Sequence, residues 1–160
     1  MRRWPGILLG VLALGGLAVP QAAPYRMASG THFVVEIPGD PARILHRERA
    51  SPGALFSLDY VHSSERVPVR GTFRIERDGS LAVLETAFGG FGPGLPELGA
   101  GDDWRIEDHM IVHQPRVDPL TELRVRVTPI AHQRLTTPSG LILDLPSLVA
   151  PGAAVRVRIR

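Results

Sequence analysis

The chain contains no cysteine, which excludes disulfide frameworks, thiolate nucleophiles, Cys-ligated zinc and iron–sulfur clusters in one step. It also lacks lysine, so all eighteen basic residues are arginine. No G-x-S-x-G elbow, HExxH pair or D-x-D-x-D-G loop occurs, and the usual signatures of serine hydrolases, zinc peptidases and calcium loops are therefore missing. Nor is there an internal repeat or an amphipathic helical pattern of useful length in the body. What is present is turn chemistry. Seventeen glycines and fifteen prolines in 160 residues suit strands and turns and exclude a helical bundle. The length is that of one domain, and 44% hydrophobic against 21% charged residues can bury a core without staples.

The formal net charge of +2 is confined to the N-terminus. Arg2 and Arg3 lie in a stretch, Met1 to Ala23, that holds no acid, while the remainder sets sixteen arginines against sixteen acids. A balanced body offers little counterion release, so nucleic acid is not an expected partner.

Arg2 and Arg3 precede an apolar run from Ile7 to Val19 that Pro20 ends, the charged and hydrophobic regions of an export signal. Its thirteen positions fall short of the roughly 20 residues of a comfortable membrane span. Cleavage after Ala22 or Ala23 would put Pro20 or Gln21 where a small residue is wanted. Residues 1–23 thus read as a signal peptide or an uncleaved membrane anchor, with helix confined mainly to residues 5–20 and the arginines kept on the cytoplasmic side. Residues 24–31 read as a tether, and 32–160 as a single β domain outside the cytoplasm, in the periplasm.

Within that body the pattern has period two. Phe33, Val35 and Ile37 alternate with polar or outward positions before the Pro38-Gly39-Asp40-Pro41 turn, and Phe56, Leu58, Tyr60 and His62 share one face of the next strand. Val67 to Ile75 and Leu81 to Phe88 read as a hairpin about Asp78-Gly79, a favoured two-residue turn. Leu123 to Val127 and Val155 to Ile159 alternate with arginines. Leu141 to Leu143 and Met110 to Val112 are too short to assign, though the latter favours a strand. Gly89 to Gly101 reads as an irregular loop leading to a strand at Trp104. The sum predicts an all-β fold, an antiparallel β-sandwich or small barrel.

Reactive residue types concentrate in His62-Ser63-Ser64-Glu65-Arg66, where a strand ends. Ser63 or Ser64 could serve as nucleophile with His62 as base. Neighbouring strand residues point to opposite faces, however, and His62, in register with Phe56, Leu58 and Tyr60, equally suits a hydrogen-bonded structural histidine. A metal site would draw on His62, Glu65, Glu85, His109 or His113, but no ligand spacing supports it, and neither metal nor cofactor is expected. Asp102-Asp103 and Glu107-Asp108 suit solvated loop carboxylates. If the last strand pairs with Leu123 to Val127, then Arg124, Arg126, Arg156 and Arg158 form a basic ridge that could meet anionic headgroups or an acidic partner. The preferred reading of that ridge is a solvated face with Asp118, Glu122 and Asp144 supplying carboxylates.

The run Tyr60-Val61-His62-Ser63-Ser64-Glu65-Arg66-Val67-Pro68-Val69, followed by Phe73, Glu85-Thr86-Ala87-Phe88 and Phe91-Gly92-Pro93-Gly94-Leu95-Pro96, resembles the bacterial domain of unknown function 1850 family over roughly residues 32 to 160. The resemblance implies a small exported protein encoded beside, or fused to, TAXI-type TRAP transporter components, which become the expected partners. It carries no activity, and an accessory or binding role at the membrane is expected. The binding residues expected are Tyr60, His62, Ser63, Glu65, Arg66, Glu85, Gly92, Gly94 and Pro96. The alternative is a periplasmic metal- or ligand-dependent enzyme built on His62-Ser63-Ser64-Glu65. On either reading the His62 to Glu65 segment and the Gly92 to Pro96 loop should lie together, with Glu65 accepting backbone N–H bonds from the loop.

Overall fold

The computed structural model describes residues 31–99 and 101–160. The expected signal or anchor over 1–23, its helix over 5–20, and residues 24–30 of the tether lie outside the described residues. Eleven strands follow in chain order: β1 (His32–Ile37), β2 (Arg43–Arg49), β3 (Leu55–Val61), β4 (Pro68–Ile75), β5 (Leu81–Phe88), β6 (Asp103–Glu107), β7 (Met110–Gln114), β8 (Leu123–Arg126), β9 (Arg134–Thr136), β10 (Ile142–Asp144) and β11 (Ala154–Ile159). One short helix, α1 (Leu145–Leu148), lies between the last two. The strands form a four-stranded sheet in the order β2-β1-β11-β8 and a seven-stranded sheet in the order β10-β9-β3-β4-β5-β7-β6. Their pairings are antiparallel. The all-β expectation is met by a sandwich.

The alternating residues meet between the sheets. Phe33, Val35, Val125, Val155 and Val157 face Phe56, Leu58, Phe73, Ile75, Leu81 and Leu135 across the gap. Phe33 sets its ring edge on Phe56 at 5.0 Å, and Phe56 stacks on Phe73 at 4.9 Å. Each fully buried side chain of this size contributes about 1.5–3 kcal/mol. Because the seven-stranded sheet is the wider of the two, the end of β5 with β7 and β6 reaches past its partner, and something else must cover that apolar surface. The 89–99 loop does so. Leu95 is buried against Val69 and Phe88, with Tyr60, Val67, Leu98 and Ile111 around it, in a second small core. Tyr60 touches both cores, and burial pushes its phenol above the ordinary range.

One sequence expectation needs correction here, and one strand went unread. The Asp78-Gly79 turn is a three-residue loop closed by Glu76 N–H to Ser80 C=O at 2.8 Å, with Gly79 at φ 85 and Asp78 Oδ1 accepting from the Ser80 N–H at 2.9 Å. Gly79 therefore supplies one left-handed position, as in a three-residue hairpin with a glycine bulge. Strand β2 was hidden in the sequence because Arg43, His46, Arg47, Glu48 and Arg49 crowd it and a bulge opposite Val35/Glu36 breaks its alternation. As a sheet edge it needs little apolar content.

The basic ridge is broader than expected, and of the expected carboxylates Glu122 serves it, joined by Glu36. Register with Val34 and Glu36 puts Arg156 and Arg158 on the outer face of the four-stranded sheet, and Arg124 joins them opposite Arg156. Arg126 on β8, Arg47 and Arg49 on β2, and Arg160 beside His32 complete the face. Among the described residues, Asp118 and Asp144 supply none of its ion pairs. Glu122 pairs with Arg124 and reaches Arg156 at 3.5 Å, while the fully buried Glu36 holds Arg156, Arg158 at 2.8 Å and Arg160 at 3.2 Å.

Candidate functional site

The β3–β4 connection is a tight hairpin. His62 N–H donates to Val67 C=O at 2.8 Å, and Arg66 N–H donates to His62 C=O at 2.8 Å. Closing the loop so tightly requires a left-handed residue, and Arg66 takes it at φ 56. Ser63, Ser64, Glu65 and Arg66 are exposed at the tip, and His62 is half-buried just below them.

His62 lies beyond the end of β3, and its partner is Ser64, whose hydroxyl sits 3.2 Å from His62 Nδ1. The Glu65 backbone N–H donates to the same nitrogen at 3.5 Å. A backbone N–H can only donate, so Nδ1 is the acceptor, and the neutral ring carries its proton on Nε2. That nitrogen faces the glycine loop, where a β-carbon on Gly94 would lie 3.8 Å away. Ser63 has no part in this arrangement.

The glycine loop meets the hairpin tip directly. A β-carbon built on Gly92 would lie 2.6 Å from Glu65 Cδ, so a side chain at 92 would have to displace Glu65 from the loop. Gly89 and Gly90 pass Pro68 and Val67 in the same way, at 2.9 and 3.3 Å. Gly94 turns the chain at φ 81 and lets Leu95 drop into the second core, with Pro96 half-buried behind it. The two segments thus lie together, but the join is packing. Among the described residues, no backbone N–H of the glycine loop bonds the Glu65 carboxylate, which corrects the expected backbone cradle.

Chemically, this cluster holds an imidazole, a hydroxyl and a carboxylate without the geometry of a catalytic relay. Ser64 and the Glu65 N–H both occupy Nδ1, and no carboxylate orients Nε2, the role a third group plays in hydrolase triads. Glu85 lies elsewhere. It projects from the outer face of the seven-stranded sheet, paired with Arg105 at 2.9 Å, and so does not join Tyr60, His62 and Glu65. Around it is an open groove of about 470 Å³ in which Asp59 pairs with Arg70 at 2.6 Å and Arg105 with Glu107 at 2.9 Å, while Asp108 also lines it. His109 sits in the β6–β7 turn at φ 63, while His113 is paired across the sheet with Thr86 and Trp104. No group of three or more metal-binding side chains converges among the described residues.

Sequence reasoning overlooked the apolar half of this end. Phe88, Ile111 and Ile106 lie in one cross-strand row, and Trp104 follows on the same face in the row of Thr86 and His113. Phe91 sets its ring against Phe88 at 5.9 Å. Phe91, Trp104 and Ile106 are 60%, 48% and 71% exposed, a contiguous apolar patch beside the glycine loop. The available signal was two large apolar residues alternating on a strand with acidic flanks, and a lone aromatic inside a glycine run.

The molecule is therefore an antiparallel β-sandwich whose wider sheet carries, at one end, a packed hairpin tip, a glycine loop and an exposed apolar patch. A family model described as Domain of unknown function (DUF1850) matches residues 56–141, more than half of the chain, and the chain belongs to that family. The matched span runs from β3 to the end of the β9–β10 turn and includes both halves of the site. No curated protein and no solved structure matches the chain.

Proposed function

We propose that this chain is a non-enzymatic binding protein that works outside the cytoplasmic membrane as an accessory of a TAXI-type TRAP transport system. It would meet its partner through the end of the sandwich where the His62 to Arg66 tip joins the Gly92 to Pro96 loop. The observation that carries this reading is the exposed patch of Phe91, Trp104 and Ile106 next to that polar tip. Large exposed apolar side chains rimmed by polar groups mark protein interaction surfaces, and aromatic residues anchor them. Membrane association rests on the Arg2-Arg3 and Ile7 to Val19 pattern, and the transport context rests on the family resemblance.

The test is copurification from membranes of the native host with tagged full chain, scoring transporter components. Wild type should retain them, and Phe91→Ser with Ile106→Ser should release them while leaving the unfolding midpoint nearly unchanged. Failure of wild type to retain any transporter component removes the reading. Hydrolysis of a small ester or phosphate substrate that is lost in His62→Ala would replace it with the enzyme alternative, for which the Ser64 to His62 contact is the supporting observation.

A further inference from the structure

The described body is nearly neutral, with fifteen arginines against sixteen acids, yet its charge is segregated. Seven of those arginines stand on the outer face of the four-stranded sheet, which has only Glu36 and Glu122 as acids. Three guanidinium groups share the single buried carboxylate of Glu36, so that cluster keeps a net positive charge after every ion pair is counted. Arg158 Nε is buried there without a hydrogen-bond partner. Arg47, Arg49, Arg124, Arg126 and Arg160 are exposed around it.

We propose that this arginine face lies on an anionic lipid bilayer, with its guanidinium groups on headgroup phosphates. Guanidinium binds phosphate through paired N–H donors and stays charged at any physiological pH. The face is sheet-like and wide, which suits a planar array of phosphates better than a single small ligand. It has no aromatic anchor, and Ile44 is its one exposed large apolar side chain. A protein interface would deplete charge at its centre and bury aromatics there. A long nucleic acid would also meet the acids on the rest of the body, which a flat surface keeps beyond a Debye length of about 10 Å.

Chain direction supports the same orientation. Residue 31 leads into His32, which sits on this face between Arg49 and Arg160, so the chain enters the described domain at the edge of the arginine face. That edge is also the end of the molecule where Ile159 packs on the Gly79 turn. The His62 tip is at the other end of the eight-residue β4, roughly 25 Å away at strand spacing. Lying on the membrane by its arginine face, the domain keeps the tip and the apolar patch on β6 free.

The experiment is equilibrium partitioning of the full chain onto vesicles of phosphatidylcholine with and without phosphatidylglycerol. The apolar N-terminal run contributes to both and Arg2 and Arg3 beside it add to the anionic gain, so the arginine face is read as the part of that gain that substitutions in the body remove. That gain should disappear in molar salt, and Arg47→Gln with Arg124→Gln and Arg126→Gln should reduce it by about fivefold per residue. Arg70→Gln with Arg74→Gln, on the opposite sheet, should leave it unchanged. Hydrogen exchange of the full chain should show added protection in β8 and β11 on anionic vesicles. Equal partitioning onto both vesicles, a wild-type gain in the triple variant, or tighter binding to duplex DNA than to anionic vesicles each overturns the proposal. Because transporter copurification reads the other end of the molecule, either result can fail without the other.

Discussion

Gly92 faces Glu65 so closely that a β-carbon on the glycine would lie 2.6 Å from Glu65 Cδ. This contact joins the β3–β4 hairpin tip to the glycine loop by packing, without a hydrogen bond from the loop to the Glu65 carboxylate among the described residues. Its consequence is a steric coupling, because a side chain at residue 92 and the Glu65 side chain compete for the same space.

Gly92→Ala should therefore destabilise the domain by about 1–3 kcal/mol, the usual cost of overpacking. Glu65→Ala, which removes the clashing atoms, should cost under about 0.5 kcal/mol, as for exposed positions with no specific partner. The double variant should recover most of the Gly92→Ala loss. Chemical denaturation of the four proteins measures the coupling, and simple additivity would show that the contact is incidental.

Leu95→Ala should cost about 2–4 kcal/mol, since it empties the centre of the second core. Because Leu95 is the buried residue that seats the loop in that core, hydrogen exchange should rise first in 89–99 and in β7, ahead of β1 and β11. Uniform loss of protection would mean that the two cores unfold as one.

Glu36→Ala leaves Arg156, Arg158 and Arg160 facing one another without their shared carboxylate. A loss of about 3–5 kcal/mol is expected, as for removal of one partner from a buried ion pair. The loss should shrink as added salt screens the arginines, and thermal unfolding at low and high ionic strength reads this directly.

Glu48 fastens the β2 edge of one sheet to the β9–β10 turn of the other. Burial pushes its carboxyl up, but the Ser139 hydroxyl at 2.6 Å, His46 at 3.0 Å, the Ser139 N–H at 3.0 Å and Thr137 at 3.1 Å outweigh that and hold it below the usual glutamate range. A carboxyl lowered in the folded state adds stability that is complete above the unfolded value of about 4.3 and is lost as pH falls through the lowered folded value. Glu48→Gln should lose about 1–3 kcal/mol at neutral pH, and the gap from wild type should close on acidification through that window. A constant gap across the window would assign the effect to packing.

The alternating runs made most of the sandwich legible. Phe33, Val35, Phe56, Leu58, Phe73, Val125, Val155 and Val157 all enter the core on the faces their period assigns. This works because side-chain direction along a strand is a local property of the pleat. Strand β2 and the role of Glu36 on the arginine face were not legible, since an edge strand has no apolar signature and Glu36 lies 120 residues from its partner Arg156 in sequence.

By itself, then, the sequence determined an all-β chain and the glycine loop, and it singled out the polar His62 to Arg66 tip, because composition, period two and turn chemistry act over a few residues. Only the tertiary structure decided that Glu65 meets Gly92, that Glu85 turns to the opposite face, and that seven arginines gather on one sheet of a nearly neutral body. Those outcomes depend on strand order and register between distant segments. Local patterning says which face a residue takes, and only the pairing of sheets says what that face will meet.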